Sequence, residues 1–133
     1  MLHRLFVHIV WTTRDRERSI DPDSADLLRE LLPRIARQER ATVLEIGIVR
    51  THVHLLLRVH PTTALPRLLQ RLKGGTSVIV NQERGNRSPG QLRWAKGYSI
   101  TTVSPRHLPA VRDYVHSQAR IHPDEALAKR IHG

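Results

Sequence analysis

No cysteine occurs in the chain, and that absence removes disulfide scaffolds and thiolate metal sites together. Any metal must then be held by imidazole, carboxylate or amide oxygen. Aromatic residues are nearly as scarce, with one Phe, two Trp and two Tyr in 133 residues. An extended base-stacking platform of the RNA-recognition type needs several aromatics on one sheet face, so that mode of binding is not expected. Acidic residues are in deficit: 12 Asp plus Glu against 22 Lys plus Arg leave a formal charge of +10, which favours a polyanionic partner, nucleic acid first. Long apolar runs are missing too. The stretch Leu2 to Val10 is interrupted by His3, Arg4 and His8, so neither a signal peptide nor a membrane span is expected there. The basic residues are spread through the chain rather than along one apolar helix, which argues against a membrane surface as partner. A cytoplasmic protein is expected, folded as a single domain over residues 1–133.

What is present is a clear succession of elements. Residues 3 to 12 alternate with β-branched and aromatic side chains and predict a central first strand, buried on both faces. Asp21-Pro22-Asp23-Ser24 starts a helix that runs to about residue 40, with Pro33 as a potential kink. Val43 to Val49 and His52 to Val59 predict a hairpin. A second helix follows Pro61-Thr62-Thr63, and Gly74-Gly75 is expected to bend or break it. Glu83 to Gly90 is rich in turn formers and arginine and predicts a solvated loop. Tyr98 to Val103 is a fourth strand, and Ser104-Pro105 caps a last helix from about 105 to 120. The order β-α-β-β-α-β plus a C-terminal helix is the α+β, ferredoxin-like split βαβ arrangement, an antiparallel sheet with helices on one face and the other face available.

Within that frame His52 and His54 carry the chemistry. Strand side chains alternate, so the two imidazoles share a face with Leu56 and Arg58, while Val53, Leu55, Leu57 and Val59 share the other. Two imidazoles on a rigid strand can hold a divalent ion if a third ligand arrives from elsewhere. About 0.6 such His-x-His pairs are expected by chance at this composition, so two hydrogen-bonded strand histidines without a metal stay an open reading. In the last helix Leu108, Val111, Val115 and Ala119 form an apolar stripe, and Tyr114 and Gln118 stand four apart on its flank. A phenol there is a nucleophile or a packing residue, and an amide oxygen one turn away can ligate a hard divalent ion. Tyr98, the other tyrosine, has no polar ligand in register.

Five segments in order, His8-Ile9-Val10-Trp11-Thr12-Thr13-Arg14, His52-Val53-His54-Leu55-Leu56-Leu57, Leu72-Lys73-Gly74, Trp94-Ala95-Lys96-Gly97-Tyr98 and Tyr114-Val115-His116-Ser117-Gln118, resemble the single-tyrosine HUH transposases. That family includes small insertion-sequence transposases and the tyrosine transposases associated with repetitive extragenic palindromes. The resemblance implies a metal-dependent transposase acting on single-stranded DNA with hairpins, usually as a homodimer. It implies His52, His54 and Gln118 as metal ligands, with Mg2+ or Mn2+ as the ion, and Tyr114 as the nucleophile that forms a 5′-phosphotyrosine and frees a 3′-hydroxyl. In some such dimers the tyrosine helix serves the partner's histidines. One departure is Thr51, where many relatives carry an acidic residue. Arg14, Lys73, Arg87, Arg93 and Lys96 are candidate DNA contacts around the open sheet face. The competing reading, from another class, is a domesticated module that binds nucleic-acid hairpins without cutting them.

Overall fold

A computed structural model describes residues 4–85 and 90–127 of the chain. Four strands, β1 (Leu5–Thr12), β2 (Ala41–Ile48), β3 (His52–Val59) and β4 (Ser99–Val103), form one sheet in the order β2-β3-β1-β4. Every neighbouring pair is antiparallel. Because β3 lies between β1 and β2, the βαβ unit is split, as the element order predicts. The first strand is central, between β3 and β4. Only one of its faces is fully buried, however: Val7, Ile9 and Trp11 are in the core, whereas Phe6, His8, Val10 and Thr12 are half-buried on the other side.

Two long helices cover the apolar face. Helix α1 (Pro22–Gln38) begins where Asp21 accepts a 2.8 Å hydrogen bond from the Ser24 amide, and it continues through Pro33. Helix α2 (Leu65–Arg84) also runs unbroken, contrary to the expectation from Gly74-Gly75. The reason is tertiary. A Cβ on Gly75 would stand 3.1 Å from Ile35 Cδ1 on α1, so glycine lets the two helices approach, offsetting its roughly 1 kcal/mol propensity cost. Leu28 and Leu32 from α1 and Leu68, Leu69 and Leu72 from α2 are fully buried against Val53, Leu55 and Leu57. Burial of each such side chain is worth about 1.5–3 kcal/mol before entropy.

The expected solvated loop starts later than its composition suggests. Arg84 is still helical and is 4% exposed; its guanidinium donates to Ser24 Oγ, Ser19 O and Gly90 O. Residues 86–89, including Arg87, lie outside the described residues.

The second sheet face is not left open. After a 3-10 turn (Pro105–His107), helix α3 (Leu108–His116) crosses it, and α4 (Gln118–Ile121) follows after a break at Ser117. The single last helix expected to about residue 120 is therefore two pieces. Val115 is fully buried with Leu56 and Val103, and Phe6, Leu44, Leu108 and Val111 pack around them as a small second core. Glu45 on β2 adds polar ties, 3.3 Å from His116 Nδ1 and 3.4 Å from Arg112 Nε.

Candidate functional site

Cross-strand partners share a sheet face. His54 pairs with Val10 on β1 and Gly47 on β2, and His52 pairs with Thr12. Both histidines thus face α3 and α4, and each is only 5% exposed. Gly47 permits that cover. A Cβ there would meet the Val115 carbonyl oxygen at 2.0 Å and Gln118 Cγ at 2.9 Å, so the helix backbone lies against a strand that has no side chain.

The close approach brings the four residues singled out by sequence into one cluster on one chain. The Tyr114 ring stands edge-on to His54 at 5.6 Å between centroids, and the rings of His52 and His54 are 5.0 Å apart. Gln118, 1% exposed, places Oε1 3.3 Å from His52 Nε2. Its amide nitrogen is turned away and donates to the Tyr114 carbonyl at 3.0 Å. Tyr114 itself is 45% exposed, so its ring meets the buried histidines from the solvent side.

Around these four stand Thr51, marked in the sequence as a departure from the family pattern, and residues to which the sequence reading gave no role. His8, on the same face of β1, has Nε2 2.9 Å from His54 Nδ1, stacks on the His54 ring and meets Tyr114 edge-on at 5.9 Å. His122 lies edge-on to His52 at 5.1 Å. Thr51 Oγ1 is 3.0 Å from His52 Nδ1 and donates to Glu125 Oε1 at 2.7 Å. His8 was part of a recognised segment, but nothing in a linear pattern says that residues 46 apart share a hydrogen bond. Gly47 and Glu125 carried no sequence signal at all.

Burial sets the protonation of the imidazoles. His54 is pushed down to about 3, first by desolvation and then by the neighbouring charges of His52, His8 and His122. His52 is also lowered, chiefly by burial, although Gln118 and Glu125 pull the other way. Burial alone lowers His8. All three rings are therefore neutral near pH 7, the state in which imidazole ligates a metal.

Among the described residues no three of His, Cys, Asp and Glu converge as a ligand group, so the third donor within reach of the histidine pair is the Gln118 amide oxygen. Its 3.3 Å separation from His52 Nε2 fits two ligands of one ion. Donors held at about 2.0–2.2 Å from a shared ion stand roughly 2.8–3.6 Å apart. His54 has Nδ1 engaged by His8, which leaves Nε2 for the site. Two neutral imidazoles and an amide oxygen, with no thiolate, suit a divalent ion of the Mn2+ or Mg2+ kind.

The basic candidates divide by environment. Arg14 and Arg93 are exposed and adjacent, joined by a 2.8 Å backbone bond at the end of β1, next to the strand end that carries His52. Lys96 is exposed nearby. Lys73 instead donates to the carbonyls of Ala95 and Gly97 at 2.8 and 2.9 Å, fastening the segment before β4 to α2.

Known proteins share the sequence pattern and the fold of this chain. The profile of the family described as "Transposase IS200 like" matches residues 1–118. The ISDra2 transposase TnpA of Deinococcus radiodurans is 31% identical over 121 residues, covering 88% of this chain and 86% of that protein. The transposase for insertion sequence element IS200 of Salmonella typhimurium is 22% identical over 114 residues, covering 84% and 74%. Among solved structures, a D. radiodurans protein described as a transposase superposes with a TM-score of 0.70 at 25% identity, covering 89% of this chain and 93% of that one. A REP-associated tyrosine transposase bound to a REP hairpin has the same fold, with a TM-score of 0.70 at 10% identity and coverage of 91% and 70%.

Proposed function

The chain belongs to the IS200-like transposase family, and from that premise we propose that it cuts and rejoins single-stranded DNA through a covalent link to Tyr114. One observation carries the reading: the Tyr114 ring, the His52–His54 pair and the Gln118 amide oxygen meet within a single chain. In this reading His52, His54 and Gln118 hold a divalent ion, Mg2+ or Mn2+. When bound, it draws electron density from a nonbridging phosphate oxygen and so makes the phosphorus a better electrophile.

The remaining work falls to the protein. Tyr114 attacks phosphorus in line; its Oη–P bond forms as the P–O3′ bond breaks, the phenol gives up its proton to solvent and the departing 3′-oxygen takes one up, so no net proton is consumed. The products are a 5′-phosphotyrosine and a free 3′-hydroxyl. Since one phosphate ester has replaced another, a second 3′-hydroxyl can reverse the step and join strands without ATP. His8 holds the His54 ring through its Nδ1, and the break at Ser117 lets Gln118 turn its oxygen inward while Tyr114 keeps its solvent-facing position. Arg14, Arg93 and Lys96 would grip the phosphates flanking the site, with Arg87 as a further candidate. Lys73 would act by fixing the segment that carries Lys96.

A fold neighbour bound to a REP hairpin supports hairpin-bearing DNA as the substrate class. Residues 1–133 would act as one such domain and assemble as a homodimer. Incubation with single-stranded hairpin DNA and Mn2+, followed by a denaturing gel, tests the reading. A metal-dependent covalent band lost in Tyr114→Phe is expected; tight binding with no band in any metal would replace it with the non-cutting hairpin-binding module.

A further inference from the structure

We infer that Glu125, 74 residues from Thr51 in sequence, is a positioning residue that acts through the Thr51 hydroxyl to fix which nitrogen His52 presents to the site. The inference rests on the reading of His52 as a ligand. Thr51 is 2% exposed, His52 is 5% exposed, and the Glu125 side chain is 17% exposed, so water competes little for these bonds. A hydroxyl has one proton. At 2.7 Å from a carboxylate oxygen, that proton goes to Glu125, and the Thr51 oxygen is left to accept. The His52 nitrogen 3.0 Å away must then be the N–H, which places the imidazole lone pair on Nε2, facing Gln118 Oε1. The second carboxylate oxygen, 3.9 Å from His52 Nδ1, favours the same tautomer.

The carboxylate is delivered by structure. The Arg50 amide donates to the Glu125 carbonyl at 3.0 Å, and the Arg18 guanidinium donates to the Asp124 carbonyl at 2.6 Å. These bonds hold the segment after α4 against the β2–β3 turn and the β1–α1 connection without using the Glu125 side chain. Without the carboxylate, the Thr51 proton is free to point at Nδ1. His52 could then carry its proton on Nε2, donate it to Gln118 Oε1 at 3.3 Å, and close the site with an internal hydrogen bond. His8 fills the corresponding place behind His54, so each site imidazole has its outer nitrogen engaged.

Glu125→Gln tests this with little change of shape. In long-range 1H–15N NMR of the metal-free protein, wild type is expected to show His52 as the Nδ1–H tautomer, and Glu125→Gln to shift it towards Nε2–H. By titration calorimetry with MnCl2, Glu125→Gln and Thr51→Val should bind Mn2+ about 10- to 100-fold more weakly, while Thr51→Ser keeps wild-type affinity. The double change Thr51→Asp with Glu125→Gln returns a carboxylate to Nδ1 and should recover both the tautomer and the affinity. An unchanged tautomer in Glu125→Gln would overturn the inference, and so would a loss that the double change fails to recover. The NMR result stands whether or not the protein cuts DNA, so failure of the relay is distinguishable from failure of the proposed function.

Discussion

Adding one methyl group at Gly47 should disable the site while leaving the protein folded. The new Cβ would stand 2.0 Å from the Val115 carbonyl oxygen and 2.9 Å from Gln118 Cγ. Carbon and oxygen settle no closer than about 3.3 Å, so strand and helix must part by roughly 1.3 Å. The atoms that move are those that complete the cluster: Gln118 Oε1, now 3.3 Å from His52 Nε2, and the Tyr114 ring over His54. A misplacement of about 1 Å can cost on the order of 100-fold in rate, whereas overpacking of this size costs about 1–3 kcal/mol of a stability usually near 5–15. Gly47→Ala is therefore expected to form the covalent DNA adduct about 100-fold more slowly while still giving a cooperative melt. Gly74→Ala is the control: no atom lies within 4 Å of its Cβ, so it should keep wild-type rate and stability or gain up to about 1 kcal/mol. Wild-type adduct formation by a folded Gly47→Ala would refute the claim that the site depends on backbone contact at this glycine.

Two further outcomes are expected. The metal-free protein should lose stability on mild acidification: His54 titrates near 6.5 when unfolded and about 3 when folded, so the unfolded state takes up a proton first as pH falls. Its contribution is complete above pH 6.5 and shrinks by about 2 kcal/mol by pH 5, with His52 and His8 adding in the same direction; urea melts at pH 7.5 and 5.0 measure it, and equal midpoints would contradict burial of neutral histidines. Mixing Tyr114→Phe with His54→Ala should not restore cleavage, because the structure completes the cluster within one chain; recovered activity in the mixture would mean that the tyrosine serves a partner's histidines.

Much of this architecture could be read from local patterns. The alternation in β3 placed His52 and His54 on one face, and that face assignment holds in the sheet register. Asp21-Pro22-Asp23-Ser24 marked a helix start because capping is a local interaction. Failures came where a distant residue decides. Gly74-Gly75 predicts a break on propensity, but at Gly75 the contact with Ile35 makes glycine a packing device. Arg84, in a stretch that reads as solvated, is buried because Ser19 and Ser24 lie across from it. The four-residue spacing put Tyr114 and Gln118 on one helix flank, yet the helix breaks between them at Ser117. Gly47, His8 and Glu125 act through contacts 46 or more residues away, which no spacing rule can reveal.

The central claim is that Tyr114 becomes covalently joined to DNA, and peptide mapping of the adduct addresses it most directly. The chain has two tyrosines, both 45% exposed, and they fall in different tryptic peptides, residues 97–106 and 113–120. After reaction with hairpin DNA and Mn2+, nuclease trimming and trypsin, the nucleotide 5′-phosphate should be found by mass spectrometry on peptide 113–120, at Tyr114. The same mass on peptide 97–106, at Tyr98, would contradict the account, because the cluster built around His52, His54 and Gln118 would then not be where the DNA is cut.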